Sequence, residues 1–247
     1  MPDNPGLGEQ AINKAAEVGL SSQLDEVENL DVNVKTDPLK LVQGKVDEVK
    51  IAGQGLVMHK DLRMETLDVH MTSVDINPIS AAFGKVELNK PTKASAYVTL
   101  TEDDINRAFN SDYVREQLQS QKIHVNGQLR TVVLQNVEFH LLESEKIALK
   151  ATVFLQETNE KQKVAFSATP KINNNGKTVS LENIEYDDHQ EISQELTGIL
   201  VSQTSKILNL DNFDLEGMSL RIKHLKVEVS KLTLQADANV EKIPTSD

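Results

Sequence analysis

The sequence predicts an α+β protein whose main body is a long, bulged, strongly curved antiparallel β-sheet wrapped around a few helices. Three observations carry that expectation. The stretch Leu62 to Ile76, LRMETLDVHMTSVDI, places Leu62, Met64, Leu67, Val69, Met71, Val74 and Ile76 in two-residue steps broken twice by a step of three. The same rhythm returns in LRIKHLKVEVSKLTL, at Leu220, Ile222, Leu225, Val227, Val229, Leu232 and Leu234. Shorter versions fit Val132, Leu134, Val137 and Phe139, and Val179, Leu181, Ile184 and Tyr186.

Period two marks a strand with one buried face, and one inserted residue turns every later side chain to the other face unless the backbone bulges. The doubled polar residues Glu65-Thr66, Thr72-Ser73, Lys223-His224, Ser230-Lys231, Gln135-Asn136 and Glu182-Asn183 are therefore read as bulges, which twist and bend a sheet. A helix would spread these apolar residues over two opposite faces, and the β-branched content favours strand. Hairpins are disfavoured because Glu-Thr and Gln-Asn are poor two-residue turns. A fifteen-residue strand of this kind would reach roughly 50 Å, longer than most.

Taken in order, residues 7 to 20 read as a helix, with Leu7, Ala11, Ala15 and Val18 at helical spacing and Ala16 and Gly19 allowing close packing on a sheet. Val32 and Val34 begin a strand. Asp37-Pro38-Leu39 is a helix start, with an N-cap and Pro at the first helical position, closed by Gly44-Lys45. Asn77-Pro78-Ile79 repeats that unit and Gly84-Lys85 closes it, so the first hundred residues carry a repeated short helix followed by strand.

Ala94 to Leu100 is a strand, and Thr101 with Asp104 forms a capping box for a helix carrying Ile105 and Phe109. Ser111 restarts helix through Val114 and Leu118. Strands follow at Val132 to Leu141, Ile147 to Leu155, Val164 to Ala168 and Val179 to Tyr186, with the hairpin turn Asn173, Asn174, Asn175 and Gly176 before the last. A long helix from about Gln190 to Leu208 shows the stripe Ile192, Leu196, Ile199, Leu200, Ile207 and Leu208. The second LR stretch is the final strand, residues 243–247 are a polar tail, and no linker divides the chain, so a single domain spanning 1–247 with internal repeats is expected.

Composition narrows the function. Apolar residues are 38% of the 247 but aromatics only 4%, with no Trp, so the interior is aliphatic. A net charge of −12 argues against nucleic acid, which needs a basic footprint and stacking aromatics. The absence of cysteine excludes disulfides and thiolate chemistry. No leader or membrane-spanning segment is recognisable, so the expected location is cytoplasmic or peripheral to a membrane, or the cell envelope after removal of a leader.

Catalytic motifs are lacking: there is no phosphate loop, nucleophile elbow or His-Glu-x-x-His helix. The densest polar group, Glu185, Asp187, Asp188, His189 and Glu191, sits where a strand ends and a helix begins, and Asp187 or Asp188 as a helix cap accounts for it. His70 and His140 hold polar positions in strands and read as surface residues. No catalytic residue, metal or cofactor is expected, and the chain reads as non-enzymatic.

The small-residue first helix, the paired Asp/Asn-Pro helices ending in Gly-Lys, LTEDDINRAF at Leu100 to Phe109 and GMSLRIKHLKVEV at Gly217 to Val229 resemble, in this order, the bacterial LmeA-type family, long catalogued as a domain of unknown function. The resemblance covers nearly the whole chain. It implies phospholipid binding in the cell envelope and a fold like the tubular lipid-binding (TULIP-like) proteins, in which a curved sheet wraps a long helix and acyl chains lie between them.

The residues permit such a ligand, because each buried methylene is worth roughly 0.8 kcal/mol without any polar recognition. Candidate lining residues are Leu67, Val69, Met71, Leu225 and Val227 on the sheet, and Ile105, Phe109, Leu118, Ile192, Leu196 and Ile199 on the helices. Arg221, Lys223, Lys226 and Lys231 are the local basic cluster that could meet anionic headgroups. The expected partner is a phospholipid, fatty acid or other acyl lipid, with peripheral membrane contact and lipid transfer as its extension. A scaffold with a filled core and no ligand stays open beside it.

Overall fold

A computed structural model describes residues 7–58, 60–77, 79–80, 87–117, 121–125, 127–173, 176–186, 193–207 and 217–241. The chain is mostly antiparallel β-sheet with a few helices. Its elements are α1 (Leu7–Ser21), β1 (Asn29–Lys35), α2 (Pro38–Val42), β2 (Lys45–Met58), β3 (Leu62–Asp75), β4 (Thr92–Thr101), α3 (Glu102–Asn110), α4 (Asp112–Gln117), β5 (Gln121–Val125), β6 (Gln128–Leu141), β7 (Ile147–Leu155), β8 (Glu160–Ile172), β9 (Val179–Tyr186), α5 (Gln194–Ile207), β10 (Met218–Glu228) and β11 (Lys231–Val240).

The strands form two open sheets rather than one. The first has six strands in the order β1-β2-β3-β4-β11-β10, and the second has five in the order β5-β6-β7-β8-β9. Strands β10 and β11 thus return across the chain to extend the sheet that the N-terminal repeat began.

Three of the doubled polar pairs are bulges. The register shifts at Lys223 in β10, at Asn136-Val137 in β6 and at Asn183-Ile184 in β9. Asn136 and Asn183 take positive φ of 49° and 48°, a conformation that asparagine tolerates better than most residues.

Glu65-Thr66 and Thr72-Ser73 behave differently. Pairing of β2 with β3 is interrupted at these levels but resumes in unchanged register. The reason is that β2 carries its own steps of three, Val46 to Val49 and Gly53 to Leu56, opposite Val74 to Met71 and Leu67 to Met64. Two extra residues face two extra residues, with Gly55 (φ 58°) and Ser73 (φ 57°) taking the left-handed turn.

The second LR stretch is not one strand. Glu228 pairs with Lys231, so Val229 and Ser230 make a two-residue turn and the stretch folds into the β10–β11 hairpin. Ser230, the second residue of that turn, takes a positive φ of 61°. Hairpin formation here overrides the apparent continuity of the apolar rhythm.

The local signals mostly hold. Asp37 accepts from the Leu39 N–H at 2.8 Å, and Asn77 accepts from Ile79 at 3.0 Å and Ser80 at 3.3 Å, so the twin starts share one cap. Gly84 lies outside the described residues. Thr101 and Asp104 form both halves of the capping box. Gly176 donates to the Asn173 carbonyl at 2.9 Å in the β8–β9 turn. The last helix starts later than expected: the Ser193 hydroxyl accepts from Leu196 N–H at 3.4 Å, the role assigned to Asp187 or Asp188, both of which lie outside the described residues.

Two cores form. The larger joins the inner face of the second sheet to α3, α5 and the α3-proximal ends of β4, β10 and β11. The smaller packs Ile12, Ala16 and Leu20 of α1 over Val32 and Val34, with Val46, Val74 and Leu41 nearby.

Helices also finish the sheet edges. In α1, Asn13 accepts from Val34 N–H at 2.8 Å, and one turn on, the Glu17 carboxyl is held low by Lys14 and also by the Val32 backbone. In α3, Glu102 accepts from Leu141 N–H at 2.7 Å, Asn106 exchanges two bonds with Phe139 at 2.7 and 2.8 Å, and Asn110 donates to the Val137 carbonyl at 2.9 Å. Residues four apart share a helix face, so each helix presents a row of polar groups that replaces a missing neighbour strand.

Candidate functional site

Strand register sets the first sheet's inner face in rows. Across β3, β4, β11 and β10 these rows are Met71, Ala94, Ala238, Leu220; then Val69, Ala96, Ala236, Ile222; then Leu67, Val98, Leu234, Leu225. In the first two rows the two middle strands carry only alanine and the flanking strands carry long aliphatic side chains. Strands lie about 4.8 Å apart, so the alanines sink a trough on the order of 10 Å wide between apolar walls. The third row fills it again with Val98 and Leu234, which lead into Leu100 and Leu232 against the larger core.

The trough is apolar, and among the described residues its walls are only partly covered, although Ala94 on its floor is buried. Leu67, Val69, Val98, Leu220, Ile222 and Leu234 belong to neither core cluster and are half-buried. One row beyond Ala94 and Ala238 lie Thr92 and Val240. Thr92 is 2% exposed, and its hydroxyl has no hydrogen-bond partner, an arrangement that native interiors rarely leave.

The expected lining residues divide by this geometry. Val69 stands on the trough's β3 wall and Leu67 in the row that closes it, and Met71 also reaches the smaller core. Ile105, Leu196 and Val227 are buried in the larger core, where Phe109, Ile199 and Leu225 pack against it. Phe109 stacks on Phe139 at 5.9 Å between ring centres. Leu118 and Ile192 lie outside the described residues. Sequence reasoning missed the alanines, whose signal was the small-residue alternation in Ala94/Ala96 and Ala236/Ala238.

The basic cluster lies on the other side. Arg221, Lys223 and Lys226 are exposed on β10, an edge strand, between the inward Leu220, Ile222, Leu225 and Val227. Lys223 pairs with Asp237 at 3.1 Å and Lys226 with Glu228 at 2.8 Å, while Lys231 is exposed at the start of β11. A headgroup that met them would have to pass round the sheet edge from the trough.

Polar groups elsewhere serve structure. Arg63 reaches Asp104 and Glu65 at 2.8 Å and Glu28 at 3.0 Å, tying β3 to the start of α3. Burial pushes the Asp104 carboxyl up, but hydrogen bonds from Thr101 and Arg63 outweigh it and hold the group below its ordinary range. Those three carboxylates in turn raise the Arg63 guanidinium.

His70 contacts Glu48 at 2.7 Å, and His140 contacts Glu102 at 3.1 Å. Glu185 pairs with Lys146 at 2.7 Å, which lowers its carboxyl; Asp187, Asp188, His189 and Glu191 lie outside the described residues. Among the described residues no cluster of three His, Asp or Glu side chains converges as a metal site. No described helix is long and apolar enough to cross a membrane.

The family model for LmeA-like phospholipid-binding proteins matches residues 5–237, and the chain belongs to that family. No curated protein and no solved structure gives a significant match.

Proposed function

We propose that this family member binds a phospholipid or another acyl lipid without chemically changing it, and that the acyl chain lies in the alanine-floored trough. The observation that carries this reading is the pairing of Ala96 with Ala236 and Ala94 with Ala238 between aliphatic walls. An aliphatic chain buried there gains roughly 0.8 kcal/mol per methylene without needing a polar partner. The family's phospholipid-binding description supports the same ligand class.

Within the first sheet the bulge at Lys223 in β10 favours a bent strand, and a TULIP-like curl of that sheet about its ligand is part of the proposal. Lipid transfer between membranes, serving membrane-lipid homeostasis, is its functional extension, and the protein would act at a membrane periphery. Native mass spectrometry with lipid extraction of the purified protein tests the reading. Co-purifying acyl lipid is the expected result, and a ligand-free protein that also refuses added phospholipid would overturn it.

A filled-core scaffold is the second reading. It is favoured by Ile105, Leu196 and Val227, which are packed into the larger core. The same experiment separates the two readings.

A further inference from the structure

Among the described residues, the most exposed large apolar side chains are gathered at one end of the first sheet. Val42 is 79% exposed, Leu39 76% and Ile79 70%. Leu39 and Val42 belong to α2, between β1 and β2, and Ile79 follows the Asn77 cap between β3 and β4. In an antiparallel meander these two connections lie at the same end, and here the Ile76 N–H joins them by donating to the Gly44 carbonyl at 2.7 Å.

The display is built in. Within α2, Leu41 packs into the smaller core, which fixes the helix and leaves Leu39 and Val42 facing out. Leu39 and Ile79 hold the same place in the repeated units Asp37-Pro38-Leu39 and Asn77-Pro78-Ile79, two residues after caps of the same geometry. Exposed clusters of this kind mark a contact surface.

Charge indicates what the surface meets. The chain carries −12 overall, but Lys35, Lys40 and Lys45 balance Asp37, Asp47 and Glu48 around α2. Lys35 and Lys40 are exposed, and Lys90 stands beside Asp75 across the end. Glu87 adds one more carboxylate beside Ser80, so an acidic protein presents here an apolar end nearer to charge balance than the chain as a whole, which suits an anionic bilayer better than the rest of its surface does.

We propose that this end, through Leu39, Val42 and Ile79, inserts into the headgroup region of a phospholipid bilayer and docks the protein there. The inference rests on the lipid-binding reading for its purpose, since the trough's Thr92–Val240 row lies toward this end, but its test is separate.

The chain has no Trp, so one introduced Trp reports alone. Leu39→Trp and Ile79→Trp are compared with Leu129→Trp, a 55% exposed position on the second sheet. The probe is phosphatidylcholine vesicles containing phosphatidylglycerol, with and without brominated acyl chains. The expected result is a blue shift and bromine quenching for Leu39→Trp and Ile79→Trp, with neither for Leu129→Trp.

Combined Leu39→Ser, Val42→Ser and Ile79→Ser replacement should weaken vesicle binding by at least about tenfold. No shift at the two end positions, or an equal shift at Leu129, would overturn the proposal. Uptake of a monomeric short-chain phospholipid, measured without vesicles, reports the trough alone, so failure of docking and failure of lipid binding are read apart.

Discussion

The two sheets present apolar faces of similar chemistry and treat them in opposite ways. In the second sheet, Ile147, Leu149, Ala151, Val153 and Leu155 along β7 are all buried in the larger core. In the first, Leu67, Val69, Val98, Ile222 and Leu234 are in register across four strands and remain half-exposed. Leaving apolar surface in water forgoes about 25 cal/mol per Å². The packed face is explained by folding alone, whereas the open one calls for an occupant. The contrast moves the proposed acyl-chain site away from the helices, where the apolar stripes suggested it, onto the sheet that the N-terminal repeat builds.

Substitutions sharpen this contrast in graded fashion. Leu196→Ala, in the larger core at 2% exposure, should cost about 3 kcal/mol by leaving a cavity. Leu67→Ala, on the trough, should cost well under half of that. Chemical denaturation of both variants checks the difference, and equal losses would mean that the trough is ordinary core.

Arg63→Met should cost about 3 kcal/mol at neutral pH, because it strands the buried Asp104 carboxylate. The pH dependence follows from the sign of the shift. Asp104 is held below its unfolded value, so its stabilisation is complete above about pH 4 and is lost as pH falls through the lower, folded value. The gap between wild type and Arg63→Met should therefore narrow in acid, which thermal melts at stepped pH would show. A gap that widens in acid would contradict the assignment.

Asn106→Ala removes both bonds to the Phe139 backbone and should cost about 2 kcal/mol. Amide exchange at Phe139 should rise with it. The smallest effect is expected at Thr92, whose unpartnered hydroxyl makes Thr92→Val neutral or stabilising by about 1 kcal/mol.

How much of this was legible in the sequence depends on the distance between partners. Caps and turns such as Asp37, Asn77, Thr101 with Asp104, and Gly176 act within a few residues and could be read directly. The polar pairs at Asn136, Asn183 and Lys223 were readable as bulges because each breaks the rhythm of a single strand.

Glu65-Thr66 misled, since its meaning depends on a matching step in β2, and Ser230 misled because a turn can continue the apolar rhythm of the strand before it. The edge-binding residues Asn13, Glu102, Asn106 and Asn110 meet backbone far along the chain, where no local pattern announces them. The trough was invisible for the same reason: Ala94 and Ala96 are small by themselves, and only pairing with Ala238 and Ala236 makes a channel.

The central claim is that this channel holds an acyl chain. Ala96→Leu combined with Ala236→Leu fills it from two directly paired positions that belong to neither packed core. Uptake of a fluorescent phospholipid by this variant, set against wild type at matched melting temperature, tests the claim most directly. The expected result is an unchanged fold with uptake lost, and undiminished uptake by the filled trough would show that the acyl chain does not lie there.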